Sequence, residues 1–288
     1  MSSLRFEAPS LLDYFAALVV DDAQFSLLEA AITVAQDDQP ALDVQGVLSQ
    51  IDQLAATLKC RLAADASAMH RLRSLNHYFF QELGFAGNVN DYYDARNSQL
   101  QHVVATRRGI PITLALLLIE IAQQIGLDAR PVAFPGHFLV KLKMAQGEVI
   151  IDPFTGQSLS REDLDERLAP YRLRQGLVGD FEVPLGLFLQ AASERDVLAR
   201  LLRNLKEIHR TAEDWQRLLA VQHRLVVLLP QAWDERRDRG LTWAELGERH
   251  AAALDLEAYI AHRPEAVDAR AIGARLDELR QTGPSRLH

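Results

Sequence analysis

The stretch RRGIPITLALLLIEIAQQIGLDARPVAFPGHFLV, residues 107–140, changes its periodicity half-way along, and that change decides how the chain is built. From Pro111 to Ile125 almost every position is apolar, so a helix here has no polar side to give to water and must be buried nearly all round. Pro111 suits the first helical turn, where its missing N–H has no intrahelical partner. Gly126 suits the left-handed residue just past the end. Beyond it the period becomes two: Phe138, Val140 and Leu142 alternate against His137, Leu139, Lys141 and Lys143. EVIID (148–152) reads as a returning strand after a turn around 144–147. This hairpin predicts His137 and Asp152 on adjacent strands, within about two residues of directly opposite.

Upstream, from Ser10 to about Phe85, apolar residues recur at helical spacing, as in Val44, Val47, Leu48, Ile51, Leu54, Leu58 and Leu62. This predicts a bundle of helices. Downstream, from SLSRED (158–163) onward, the pattern is helical again. Pro230 and Pro264 stand 34 residues apart, and Gly240, Trp243, Gly247, Ala252, Leu256 and Tyr259 precede the second. That spacing is that of a tetratricopeptide repeat, in which two antiparallel helices recur every 34 residues or so. The preceding copy keeps Leu202, Leu205, Leu218 and Leu225 but has Lys206 where a small residue belongs. Charged DERRDRG (234–240) reads as a solvated helix face.

The chain has 288 residues, of which 48% are hydrophobic, enough to fill a sizeable core. Its net charge of −8 argues against nucleic-acid binding of the usual basic kind. No signal peptide and no membrane-length apolar run is read, so a cytoplasmic protein is expected. Cys60 is the single cysteine, which excludes an intrachain disulfide and any zinc site built on several thiolates. His70 and His77 share a helix face without a third ligand, so no metal is expected, and no cofactor-binding motif occurs.

With YYDARNS (92–98), RRGIPIT (107–113), PGHFL (135–139) and IDPF (151–154), the sequence resembles the SirB-type branch of the transglutaminase-like superfamily. The resemblance implies an α+β, mostly helical fold. A papain/transglutaminase-like core, with a helical N-terminal part and a small antiparallel sheet, is followed by an α-α superhelical tetratricopeptide-like segment. The expected divisions are 1–88 for the N-terminal helices, 89–180 for the helix-plus-hairpin core and 181–288 for the repeats.

Active members of the superfamily carry Gly-x-Cys at the helix start, where the positive helix end lowers a thiol's pKa; a His then takes its proton and an Asp orients the His. His137 and Asp152 match the base and the orienter. At the nucleophile position this chain has Gly109-Ile110-Pro111, and Cys60 lies in another helix. Thr113 is the nearest hydroxyl to the helix head, although a Thr there more often bonds its own backbone. Tyr93, Asp94, Arg96, Asn97 and Ser98, with Pro111 and Ile112, are expected beside the helix head, either lining a cleft or pinning a loop by bonding backbone groups.

Two readings follow. In the first, a catalytically silent protein recognises a peptide or small molecule at the core and a protein partner through its C-terminal helical repeats. In the second, His137 and Asp152 act on water or on Thr113 in an amide or ester hydrolase or acyl transferase of altered mechanism. The oligomeric state is not legible in the sequence.

Overall fold

A computed structural model describes residues 9–22, 25–177, 179 and 183–281. In chain order the elements are α1 (Leu11–Val19), α2 (Leu27–Thr33), α3 (Val44–Arg61), α4 (Ala68–Asn76), β1 (Ala86–Gly87), α5 (Leu100–Thr106), β2 (Arg108–Gly109) and α6 (Pro111–Gln124). There follow β3 (Asp128–Val132), β4 (Leu139–Met144), β5 (Gly147–Ile151), β6 (Ser158–Leu159), α7 (Arg161–Gln175) and α8 (Leu185–Phe188). The chain then runs through α9 (Glu194–Thr211), α10 (Trp215–Leu228), α11 (Trp233–Glu245), α12 (Arg249–His262) and α13 (Ala269–Gln281). The fold is mostly helical with small sheets: a transglutaminase-like core is followed by a tetratricopeptide-like helical region.

Packing divides these elements into two compact units, residues 26–201 and residues 1–25 joined with 202–288. These limits differ from the boundaries expected at 88 and 180. The reason is visible on both sides: α3 and α4 pack on α6 and so belong with the hairpin, whereas α1 packs on α10.

In the larger unit, α6 is the hub. Pro111 occupies its first turn, and Pro111 through Ile119, with Ile121 and Ala122, are buried. Its C-terminus closes as a Schellman motif: Gly126 N–H bonds Gln123 O at 2.9 Å and Leu127 N–H bonds Ala122 O at 2.9 Å. Gly126 takes φ +83°, and a Cβ there would meet Arg71 Nη1 at 2.9 Å. Arg71 needs that space, because its guanidinium donates to the carbonyls of Ile125, Ala66 and Ala64 and so satisfies chain ends that no helix bonds.

The hairpin forms as the period-two pattern requires, in a four-stranded antiparallel sheet ordered β3-β4-β5-β6. Val140 pairs with Ile151 and Met144 with Gly147. One expectation changes. Leu139, assigned by alternation to the side of the lysines, is fully buried in a cluster with Val132, Phe134, Ile150, Leu164, Leu168 and Leu185. Helix α6 also packs on β3 and β4. The sheet is therefore covered on both faces near His137, and strict alternation fails where both faces are apolar.

In the other unit the repeat reading is realised as helix pairs. Pro230 and Pro264 fall two residues after α10 and α12, where a helix can no longer continue. Lys206, the irregular residue of the first copy, reaches α11 and places its ammonium 2.5 Å from Glu235 and 2.5 Å from Asp238. An ion cluster thus fills the gap that a small residue would have closed. The segment 234–240 is correspondingly no solvated face: Glu235 is 5% exposed, Arg237 pairs with Asp268, and Arg239 grips Asp255 through two bonds.

Strands β1 and β2 pair in parallel, Gly87 opposite Gly109, and bring the 88–98 loop to the head of α6. The ring of Phe154 lies against Gly87, where an added Cβ would come within 2.2 Å of it. That ring cannot retreat freely, since Gly87 N–H bonds Phe154 O at 3.0 Å. Gly87→Ala is expected to destabilise the fold by about 1–3 kcal/mol, the usual cost of overpacking, read as a lowered urea midpoint at unchanged slope.

Candidate functional site

The hairpin brings His137 and Asp152 together. His137 stands in the turn before β4, with its N–H bonded to Phe134 O at 3.0 Å; Asp152 stands just past the end of β5. His137 Nε2 is 2.8 Å from Asp152 Oδ1. The same oxygen accepts the Phe154 N–H at 2.9 Å, and Oδ2 accepts Arg167 Nη1 at 3.0 Å. The Asp152 side chain is 2% exposed. Burial by itself would raise its pKa, but the bonds and charges of His137 and Arg167 and the Phe154 N–H outweigh burial and hold the carboxyl at about 2.

An ionised Asp152 fixes the imidazole. A carboxylate at 2.8 Å can only accept, so Nε2 carries the hydrogen in the neutral ring and Nδ1 keeps the lone pair. The ring is partly open to solvent, at 23% side-chain exposure. This arrangement supplies an oriented base or hydrogen-bond acceptor. The pairing follows from the strand register. The anchoring role of Arg167 does not, because it sits mid-way along α7, fifteen residues beyond its partner, in a stretch that reads only as an amphipathic helix.

At the head of α6 the geometry differs from that of a nucleophile site. Pro111 is buried at the first helical position. Thr113 is fully buried, and its hydroxyl accepts Ile110 N–H at 3.2 Å while lying 2.9 Å from Asn97 O and 3.1 Å from Ile110 O. It makes no bond to His137. Cys60, on the last turn of α3, is exposed.

The 92–98 segment behaves mainly as a pin. Asp94 accepts Arg96 N–H at 2.9 Å and its guanidinium through Nε and Nη2 at 2.8 and 2.6 Å, closing a 3-10 turn over Ala95–Ser98. The Asn97 amide donates to Asp91 O at 2.6 Å and accepts from Asn88 Nδ2 at 2.9 Å, while its carbonyl receives Thr113. Asn97, Ser98 and Ile112 are buried, whereas Tyr93 is 79% exposed. Tyr92, absent from the expected site residues, packs edge-on to Phe154 at 6.0 Å between ring centres.

Among known proteins, residues 45–203 match the family model described as the transglutaminase-like superfamily. The chain belongs to that superfamily. Residues 205–277 match the tetratricopeptide repeat. Similarity over most of the chain extends to proteins named UPF0162. One from Xylella fastidiosa (strain Temecula1) is 35% identical over 84% of this chain and 85% of its own. UPF0162 protein PA3419 of Pseudomonas aeruginosa is 30% identical over 91% and 94%. UPF0162 protein YchA of Escherichia coli K12 is 26% identical over 88% and 92%. No solved structure matches the chain significantly. Among the described residues no helix is long and apolar enough to cross a membrane.

The depressed Asp152 pKa makes a signed prediction. Because the folded value of about 2 lies below the ordinary 3.8, the carboxylate's contribution is fully present above pH 4 and is lost as pH falls toward 2. Asp152→Asn is expected to be less stable than the wild type near pH 6 by roughly 2 kcal/mol, with the gap closing below pH 4, in urea unfolding followed across pH.

Proposed function

We propose that this transglutaminase-like chain is a catalytically silent, SirB-type protein of the cytoplasm that binds its ligand rather than transforming it. The core recognises a peptide segment of a partner, and the tetratricopeptide repeats at the C-terminus offer that partner a second surface, making the protein a binding or regulatory module. The observation that carries this reading is the head of α6. A buried Pro111 stands where sulfur chemistry would start, and the Thr113 hydroxyl is committed to Ile110 and Asn97. Thiolate catalysis needs an accessible sulfur at the positive helix end, and activation of a hydroxyl needs a base within hydrogen-bond reach. Cys60 and Thr113 meet neither requirement.

The intact pair favours a second reading, hydrolysis of an amide or ester by water. With Nε2–H held by Asp152, Nδ1 could accept a proton from water, leaving a hydroxide equivalent to attack a bound carbonyl. The pair alone supplies a base. It supplies no covalent route, and the binding reading is therefore preferred.

Turnover of amide and ester panels, and incorporation of a labelled amine into glutamine peptides, should be the same for wild type, His137→Ala and Thr113→Val. Turnover that falls by about 100-fold in His137→Ala, in the range by which a general base accelerates reactions, would replace the binding reading with the hydrolytic one.

A further inference from the structure

Arg200, on the part of α9 that belongs to the larger unit, is a half-buried guanidinium without an acidic partner among the described residues. Its Nη1 donates to Phe134 O at 3.1 Å, and its plane lies 5.8 Å from the centre of the Phe138 ring. Three sequestered arginines elsewhere are paired with acids, Arg167 with Asp152, Arg172 with Asp165 and Arg239 with Asp255, whereas Arg71 bonds only carbonyls and Arg107 keeps a buried Nη1 without a hydrogen-bond partner. Three arginines present Nε and Nη2 as a fork to a carboxylate, Arg96 to Asp94 and Arg210 to Glu207 at the surface and Arg239 to Asp255 in a sequestered place. In Arg200 the tether to Phe134 uses Nη1, and among the described residues no hydrogen-bond partner meets the Nε/Nη2 edge.

The position ties this edge to the His–Asp pair. Phe134 O receives both Arg200 Nη1 and the His137 N–H, so the guanidinium of α9 is tethered to the turn that carries His137. Tyr92, whose ring packs on Phe154, is close enough for its phenol to interact electrostatically with Arg200. Tyr92 is thus linked to Asp152 through Phe154, and Arg200 to the backbone of His137 through Phe134. Burial disfavours an uncompensated guanidinium, and in a chain of net charge −8 an internal partner was readily available.

We infer that the Nε/Nη2 edge of Arg200 is a carboxylate-binding site, which holds a carboxylate of the bound peptide while His137 and Tyr92 contact the residue that carries it. The inference rests on the peptide-binding reading of the core and adds the ligand's charge and anchoring group. Carboxylate chemistry fits better than a neutral amide, since its two oxygens accept from both parallel donors of the fork, as a phosphate's also can. The group can come from a C-terminus or from an acidic side chain, and the same experiment distinguishes them.

The probes are N-acetyl-Phe-Gly with a free C-terminus, its C-terminal amide, N-acetyl-Phe-Glu-amide, its glutamine counterpart and inorganic phosphate. Each is titrated into full-length protein while the arginine Nε–H resonances are followed, that of Arg200 being assigned by its loss in Arg200→Lys. We expect the Arg200 signal to move with at least one carboxylate peptide, the free-acid or the Glu form naming the source, and to stay with both neutral counterparts. Binding should weaken about tenfold or more in Arg200→Gln and less in Arg200→Lys, which keeps the charge but not the fork. Thermal unfolding checks that both variants fold, and if Arg200→Gln does not, the acid-against-amide comparison in the wild type decides alone. Acid and amide binding equally, or phosphate alone moving Arg200, overturns the carboxylate site while leaving the peptide reading intact. No response to any peptide, at Arg200 or at the His137 ring, overturns both.

Discussion

Everything around the site depends on how Asp152 is held. One buried carboxylate accepts from an imidazole, a backbone N–H and a guanidinium, and these donors come from the turn before β4, from the residue after Pro153 and from α7. Removing any one leaves a charge in a place water hardly reaches. Three donors together make ionisation more favourable than in water, despite burial. The network therefore fixes geometry in two directions. It orients the His137 ring by assigning its hydrogen, and it draws α7 onto the sheet, where Leu164 and Leu168 cover Leu139 and Ile150.

The helix that defines the fold plays a different part. Because α6 is buried on nearly every side, its two ends are the places where the surrounding chain must meet unpaired backbone groups. At the C-terminal end the Schellman turn and Arg71 meet that demand. At the N-terminal end Pro111 removes one donor, and Thr113 with Asn97 ties the 92–98 loop across the top. An active thiol site would need that end open. Here it is closed by the hydrogen bonds that stabilise it.

How much of this was legible in the sequence depends on the range of the physics involved. Helix α6, its Pro and Gly ends and the hairpin register are local, set by side-chain period and by residues with special backbone demands, and all can be read from 107–152. The His137–Asp152 contact follows from register. Arg167 and Arg200 were not legible, because their partners lie 15 and 66 residues away and neither sits in a pattern that distinguishes it from a solvent-facing arginine. Lys206 was visible as an irregularity but its meaning was not, since the acids it meets belong to the next helix pair. Leu139 was misassigned for a related reason: alternation reports one apolar face, and here α7 supplies a second.

An oriented histidine held by a buried carboxylate is a coherent physical object. The cost of ionising and burying Asp152 is offset within the fold, so the pair needs no reaction to persist. What it leaves partly exposed is the His137 ring, and tethered to the same turn from α9 is a guanidinium with no acidic partner among the described residues. Hydrogen-bonding groups held rigid and unpaired discriminate between ligands more sharply than they strengthen binding, because a wrong ligand leaves them desolvated and unmatched. Rigid groups of this kind favour selectivity over affinity.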